Sequence, residues 1–360
     1  MKKKIRCLIV SSYFGPYAGN FISSLISLHR EMKSRGHVVL FVFPRATEKF
    51  EWVKIIKKDT EKVFFIDFMP RSRQNIKAIG KLIKNQQIDI ILSRMSGWDI
   101  VSRCSTHKPV IWQMEMSIDN STKKRMIKNA IKYKVFGGKK TYHIAVSQPV
   151  SDQVNAYRVP NKCVAIPNAI DFSRLPKIIP DKNSDKTKRI LIFGWSPIVK
   201  GLDIAIKAIN KLFVSGETVK LLVSAQEQTY KYINKEYGTI PEWIELIPPT
   251  NNVSELYRRA DIMLSASRME GFSYSLAEAI YCGLPAVVSD IPGTAWSKDF
   301  AHVYSFRSEN VDDLERIMRN VLQVQIEEND IQQNRELLNK KYSMRAWAES
   351  MANFIESSVE

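Results

Sequence analysis

Apolar positions in this chain fall in short runs separated by stretches of helical period. Cys7 to Val10, Val38 to Phe43, Val63 to Ile66, Ile88 to Leu92, Val110 to Trp112 and Ile144 to Ser147 form a first series. A second series comprises Arg189 to Phe193, Val219 to Ser224, Ile244 to Leu246, Ile262 to Ala266 and Ala286 to Ser289. Strand-sized runs alternating with helical patterns predict parallel sheets flanked by helices. Between the series, Pro176 to Lys188 has prolines, lysines and aspartates without periodicity and reads as a linker. The chain is therefore expected to be α/β, with two Rossmann-like domains in tandem: an N-terminal one over 1–175, the linker over 176–188, and a C-terminal one over 189–342. A last segment, 343–360, carries Trp347, Met351, Phe354 and Ile355 at helical spacing within a helix from about Met344 to Glu356.

Composition narrows the class. At 360 residues and 44% hydrophobic content, the chain is long enough for two domains, each with its own core. Cys7, Cys104, Cys163 and Cys282 are scattered without close pairs, which argues against a disulfide framework or a zinc site and for a reducing, cytoplasmic setting. The start, Met1 to Ser12, has an apolar run too short and too interrupted for a signal peptide and reads as the first strand. No apolar stretch approaches the ~20 residues that span a bilayer. The net charge of +17 is uneven: residues 1–180 hold 33 Lys+Arg against 12 Asp+Glu, and residues 181–360 hold 21 against 25. The first half thus presents a basic face suited to an anionic partner. Nucleic acid is the weaker reading, because no nucleic-acid-binding motif or alternation of aromatic and basic residues accompanies the charge.

The densest chemistry lies between Arg268 and Gly293. Glu270 and Glu278 stand eight positions apart around the start of a helix predicted over Ser273 to Cys282, which Gly283 ends and Pro285 keeps from continuing. Amides at a helix start are unpaired and the macrodipole is positive there, so the backbone of Phe272, Ser273, Tyr274 and Ser275 suits a phosphate. Glu278 sits among Leu276, Ala277, Ala279 and Ile280, an unfavourable place for a charge without a partner. Glycine turns follow the first strand of each series, at Gly15 to Asn20 and at Gly194. Gly19 is the residue expected to let a phosphate approach backbone amides in the first of them.

At Glu270, Gly271, Phe272, Glu278, Gly283, Pro285 and Gly293 the chain resembles the retaining, nucleotide-sugar-dependent glycosyltransferases of the GT-B fold, in particular their fourth family. Phe193 to Asp203 is similar to the family's strand, glycine turn and Lys-Gly-hydrophobic-Asp sequence, and Ile166 to Asp171 to its segment near the hinge, with Ala169 in place of a glycine. The resemblance implies two Rossmann-like domains with a cleft between them, the first binding the acceptor and the second the donor, and a C-terminal helix that returns to the first domain. It implies Lys200 as the cation on the diphosphate, Glu278 on ribose hydroxyls and Glu270 on hydroxyls of the transferred sugar. Gly194 and Trp195 lie in the donor turn, and Ile247 and Pro248 are expected near the base. Two positions depart from the pattern. Trp195 replaces a frequent arginine, and Gln113 or Glu115 stands where a family histidine meets the donor sugar, which makes Glu115 a third catalytic candidate.

The activity implied is retaining transfer of a hexosyl unit from a nucleoside diphosphate sugar, UDP by default, to a saccharide hydroxyl, with neither metal nor cofactor. Glycoside hydrolysis by the paired carboxylates has no use for Lys200 or the glycine turns. A catalytically silent subunit that binds a partner glycosyltransferase is the alternative. Lys123 to Lys140 interleaves lysines with Met126, Ile127, Ala130, Ile131 and Val135 at helical spacing. Two readings stand: a helix on an anionic bilayer, with Lys124, Lys128 and Lys132 facing the membrane, or an amphipathic helix packing on its own sheet. The first implies a peripheral enzyme on the inner face of the cell membrane, a lipid-linked saccharide acceptor, and a part in bacterial envelope or capsular glycan synthesis.

Overall fold

The computed structural model describes residues 3–60, 62–67, 73–95, 97–177, 186–250 and 252–359. The chain divides into two compact units, Met1–Asp171 with Tyr342–Glu360, and Phe172–Lys341. Of the expected linker, 178–185 lies outside the described residues.

In the first unit seven strands run β1 (Arg6–Ser11), β2 (Val38–Pro44), β3 (Val63–Ile66), β4 (Ile90–Arg94), β5 (Val110–Met114), β6 (Thr141–Ala145) and β7 (Val164–Ala165). They form one parallel sheet ordered β3-β2-β1-β4-β5-β6-β7. Strand β1 shows why the runs lack alternation. Cys7 and Ile9 face one core, beneath the helices Gly19–Ser34 and Met344–Ser357, while Leu8 and Val10 face another with Ile79, Val101 and Trp112. Ser343 caps the last helix by accepting from the Ala346 amide, and Trp347, Met351 and Ile355 are buried. Burying each such side chain is worth roughly 1.5–3 kcal/mol, which fixes this segment to the first unit.

The second unit holds β8 (Lys188–Phe193), β9 (Val219–Ser224), β10 (Ile244–Ile247), β11 (Ile262–Ser265), β12 (Ala286–Ser289) and β13 (Val303–Phe306). Its parallel sheet is ordered β10-β9-β8-β11-β12-β13. Both sheets match the expected doubly wound α/β architecture. Strands β7 and β13 are additional to the sequence reading, and β6 starts at Thr141 and ends at Ala145 instead of running from Ile144 to Ser147. Two paired residues make β7 too short to stand out as a run, and Thr141 and His143 disguise β6 although both are fully buried.

Burial, assisted by the charge of Lys132, depresses His143 to about 4. The folded chain therefore binds fewer protons here than the unfolded one between about pH 4 and 6.5. The stability that neutral His143 contributes is present above 6.5 and falls as pH drops through that window, by about 3 kcal/mol at its acid end. His143→Gln should flatten this part of a denaturation-versus-pH curve; an unchanged curve would assign the acid sensitivity elsewhere.

Candidate functional site

The second sheet reverses its strand order between β8 and β11, and in such sheets ligands bind beyond the strand ends at that reversal. Of the candidate residues, Lys200, Glu270 and Ser275 gather there. A small pocket is lined by Phe193, Lys200, Ser265, Ser267, Glu270 and Ser275. The loop after β8 is pinned from both sides. Arg268 donates its amide to the Val199 carbonyl at 2.8 Å, its guanidinium to the Ile198 carbonyl, and both terminal nitrogens to Asp203 at 2.8 Å each. Burial pushes the Asp203 carboxyl up, but the Arg268 hydrogen bonds and charge outweigh it and hold it below its usual value. Gly201, at φ 66°, lets the loop lie on the end of β11: a Cβ there would sit 1.9 Å from the Ala266 carbonyl oxygen.

Lys200 reaches from this loop to Glu270 Oε1, which also accepts from Ser267 Oγ at 2.8 Å. Its ammonium lies 5.0 Å from the centre of the Trp195 ring. Trp195, which fills the place of the expected second cation, is 46% exposed and provides a cation–π face. The backbone of Glu270 is packed so closely against Gly293 that a Cβ there would come 2.3 Å from the Glu270 carbonyl oxygen. Paired with Lys200 and Ser267, buried Glu270 remains an acceptor for hydroxyl donors.

The helix expected over Ser273 to Cys282 runs Tyr274–Tyr281, with Ser273 as its N-cap and no side-chain cap. Buried Phe272 stacks on Trp296 with ring centres 4.8 Å apart, and Gly271 before it is also buried. Glu278, 4% exposed, has the partners its apolar surroundings demand. Tyr257 Oη donates to Oε2 at 2.6 Å, and Arg174 donates to Oε1. Burial, reinforced by the Glu278 charge, pushes the Tyr257 phenol well above its ordinary value, so it stays a donor. Arg174 is carried by the short helix Phe172–Arg174; Phe172 stacks on Tyr281 at 4.4 Å, and Ser254 Oγ donates to the Arg174 carbonyl at 2.7 Å. Arg174, Tyr257, Ser267 and the Arg268–Asp203 clamp are the residues that sequence reasoning missed. Ile247 ends the outer strand β10, two places from β8, and Pro248 is exposed.

Gly19 and Glu115 belong to the first unit. Gly19 is the first residue of the helix Gly19–Ser34, at φ 51° with open space where a Cβ would lie. Glu115 is held internally: Oε1 accepts from Arg94 at 3.1 Å and Oε2 from Asn168 at 3.1 Å. Arg94 is fully buried, between the rings of Phe21 and Trp347. The position expected to meet a ligand thus neutralises a buried guanidinium. Gln113 is 1% exposed, and neither amide atom has a hydrogen-bond partner among the described residues.

Of the lysines expected to face a membrane, Lys124 and Lys128 are exposed on the helix Lys123–Ile131. Lys132 is not: its ammonium turns inward to Asp99 at 2.5 Å and lies 5.2 Å from the centre of the Trp112 ring. A buried carboxylate next to an aromatic face outcompetes water for it. No residue of this helix is buried, so it is not an amphipathic helix packed on its own sheet. No helix among the described residues is long and apolar enough to cross a membrane.

The family model described as Glycosyltransferase Family 4 matches residues 23–174, and that described as Glycosyl transferases group 1 matches 176–337. No curated protein matches the chain in sequence. A glycosyltransferase from Rickettsia africae ESF-5 is similar in structure at TM-score 0.77 and 16% identity, covering 99% of each chain. HepE from Anabaena, in complex with UDP, is similar at TM-score 0.77 and 13% identity over 98% of this chain and 100% of that one. The lipopolysaccharide outer core galactosyltransferase WaaB, in its apo form, is similar at TM-score 0.70 and 14% identity, again over 98% and 100%.

Proposed function

Since the chain belongs to the glycosyltransferases of GT-B type, its two halves matched by their two family models, we propose that it moves a hexosyl unit from UDP-sugar to a saccharide hydroxyl with retention of configuration. The observation that carries this reading is the cluster of Lys200, Glu270 and the start of the helix Tyr274–Tyr281 at the strand-order reversal of the second sheet. Breaking the bond from anomeric carbon to phosphate oxygen leaves negative charge on the departing diphosphate and positive charge on the sugar, so fixed charges and dipoles do most of the catalytic work. Lys200 and the amides of Phe272 to Ser275 stabilise the diphosphate. Glu278 accepts from ribose hydroxyls and Glu270 from those of the transferred sugar. The departing phosphate takes the acceptor proton, and no metal enters the sequence of steps. Trp195 and the base-side residues Ile247 and Pro248 complete the donor set.

The acceptor in this reading is a lipid-linked saccharide of the bacterial envelope or capsule, reached from the cytoplasmic side by a peripheral enzyme. Its support is the exposed lysines and apolar side chains of Lys123–Ile131. Melting temperatures with UDP, GDP, ADP and CMP test the donor, because a ligand bound only by the native state stabilises it by mass action. UDP should give the largest rise, and no rise with any of the four would remove the proposal. Hydrolysis of UDP-sugar separates an active enzyme from a silent binding subunit.

Tyr257→Phe deletes one donor to Glu278 and should weaken UDP binding about 10-fold, in line with a hydrogen bond to a charged group worth ~1.5 kcal/mol. Affinity for 2′,3′-dideoxy-UDP should change far less. Equal losses for both nucleotides would mean that Glu278 does not act through the ribose.

A further inference from the structure

The helix Lys123–Ile131 is secured at its ends and left unfilled between them. At its start, Thr122 accepts from the Arg125 amide, and Asn129 reaches back to the Asp119 carbonyl at 3.0 Å and to Asn120 at 2.9 Å. At its far end the chain widens into a π-helical turn, Lys132–Phe136, where Lys132 pairs with Asp99 and Tyr133 is buried. In between, Met126, Ile127 and Ile131 are 51–61% exposed, and Val135 in the following turn is 66% exposed. Single π-helical turns inside helices recur at functional positions because they rotate side chains out of register.

Beneath this span lies a groove of about 430 Å³, lined by Ile76, Ile100, Val101, Ile127, Ile131 and Phe136. That is within the roughly 300–1,000 Å³ of small-molecule sites. Lys124 and Lys128 also line it, and neither has an ion pair among the described residues. The pairs 124/128 and 127/131 are each one turn apart, so two lysines and two isoleucines form adjacent stripes on one helix face. Lysine stems cover apolar surface while their ammonium heads stay in water. The result is an apolar trough with a doubly cationic rim.

We propose that this groove binds the hydrocarbon chain of an anionic phospholipid, whose phosphate is gripped by Lys124 and Lys128. A neutral apolar ligand would leave the lysines without a function, and a free phosphate would leave the trough empty; an anionic lipid satisfies both. The inference deepens the membrane-surface part of the proposed function and is independent of the donor chemistry. It differs from surface adsorption because it requires one chain to leave the bilayer plane and contact Ile76 and Ile100, which lie on the neighbouring helices Arg73–Asn85 and Asp99–Cys104.

The test uses the full chain and dihexanoyl phosphatidic acid below its micelle concentration, with dihexanoyl phosphatidylcholine and glycerol 3-phosphate as comparators. Isoleucine methyl NMR and calorimetry give the readouts. Saturable one-to-one binding of the phosphatidic acid is expected, with shifts at Ile76 and Ile100. Lys124→Gln with Lys128→Gln should weaken it about 30-fold while leaving phosphatidylcholine unaffected, and Ile127→Trp should weaken both lipids about 10-fold by filling the trough. Since Ile127 is exposed, that variant is expected to fold. Glycerol 3-phosphate binding as tightly as the lipid, or vesicles pelleting the protein while Ile76 and Ile100 stay silent, would overturn the proposal. A UDP-induced melting shift recorded on the same samples separates failure of the groove from failure of the donor reading.

Discussion

Lys200→Met is expected to lower sugar transfer about 10²–10³-fold, the usual cost of deleting one preorganised charge aimed at a developing anion. Two consequences of that substitution must be kept apart. The Lys200 ammonium compensates Glu270 in the resting protein, where both side chains are largely buried. Removing it takes that compensation away while the Ser267 hydrogen bond stays. Breaking a buried pair costs about 3–5 kcal/mol, and the residual solvent access here reduces that figure. The double variant Lys200→Met with Glu270→Gln should therefore recover most of the lost melting temperature and none of the lost transfer. If Lys200→Met kept more than a tenth of wild-type kcat/KM, the ammonium would have no part in leaving-group stabilisation.

Gly201→Ala should unfold the second unit or come close to it, with a loss of more than about 4 kcal/mol. Positive φ alone costs an L-residue ~1–3 kcal/mol. Here the added methyl also meets backbone, with the Ala266 carbonyl oxygen at 1.9 Å and its carbon at 2.8 Å, and neither atom can rotate away. Gly216→Ala is the control, because Gly216 has φ 94° but open space around it. It should lose only the conformational part. Chemical denaturation followed by tryptophan fluorescence compares the two, and similar losses would show that the contact with β11 relaxes easily.

The sheets were legible because a strand buried on both faces must be continuously apolar, as β1 and β2 are. That same rule hid β6, whose Thr141 and His143 are polar yet fully buried, His143 against the rings of Trp112 and Tyr133. Glu270, Glu278 and Lys200 were legible because helix starts and glycine turns mark where backbone amides are available. Their partners were not. Arg174 lies 104 residues from Glu278, and Tyr257 sits in a helix that otherwise reads as ordinary surface. Glu115 shows the converse gap: a carboxylate after a middle strand looks unattached in the sequence, whereas the fully buried Arg94 holds it. Lys132 errs the same way, since helical spacing cannot reveal that Asp99 waits on a neighbouring helix.

The carboxylate of Glu278 has a separate donor on each oxygen, which fixes its plane and leaves its torsions little freedom. A flexible glutamate forfeits rotamer freedom when it seizes a diol, on the order of 0.5–1.5 kcal/mol per side chain. Here folding has already met that loss. A nucleoside arriving at such a preset acceptor should bind with a smaller entropic deficit than it does in Tyr257→Phe, and calorimetry across temperature would register the difference.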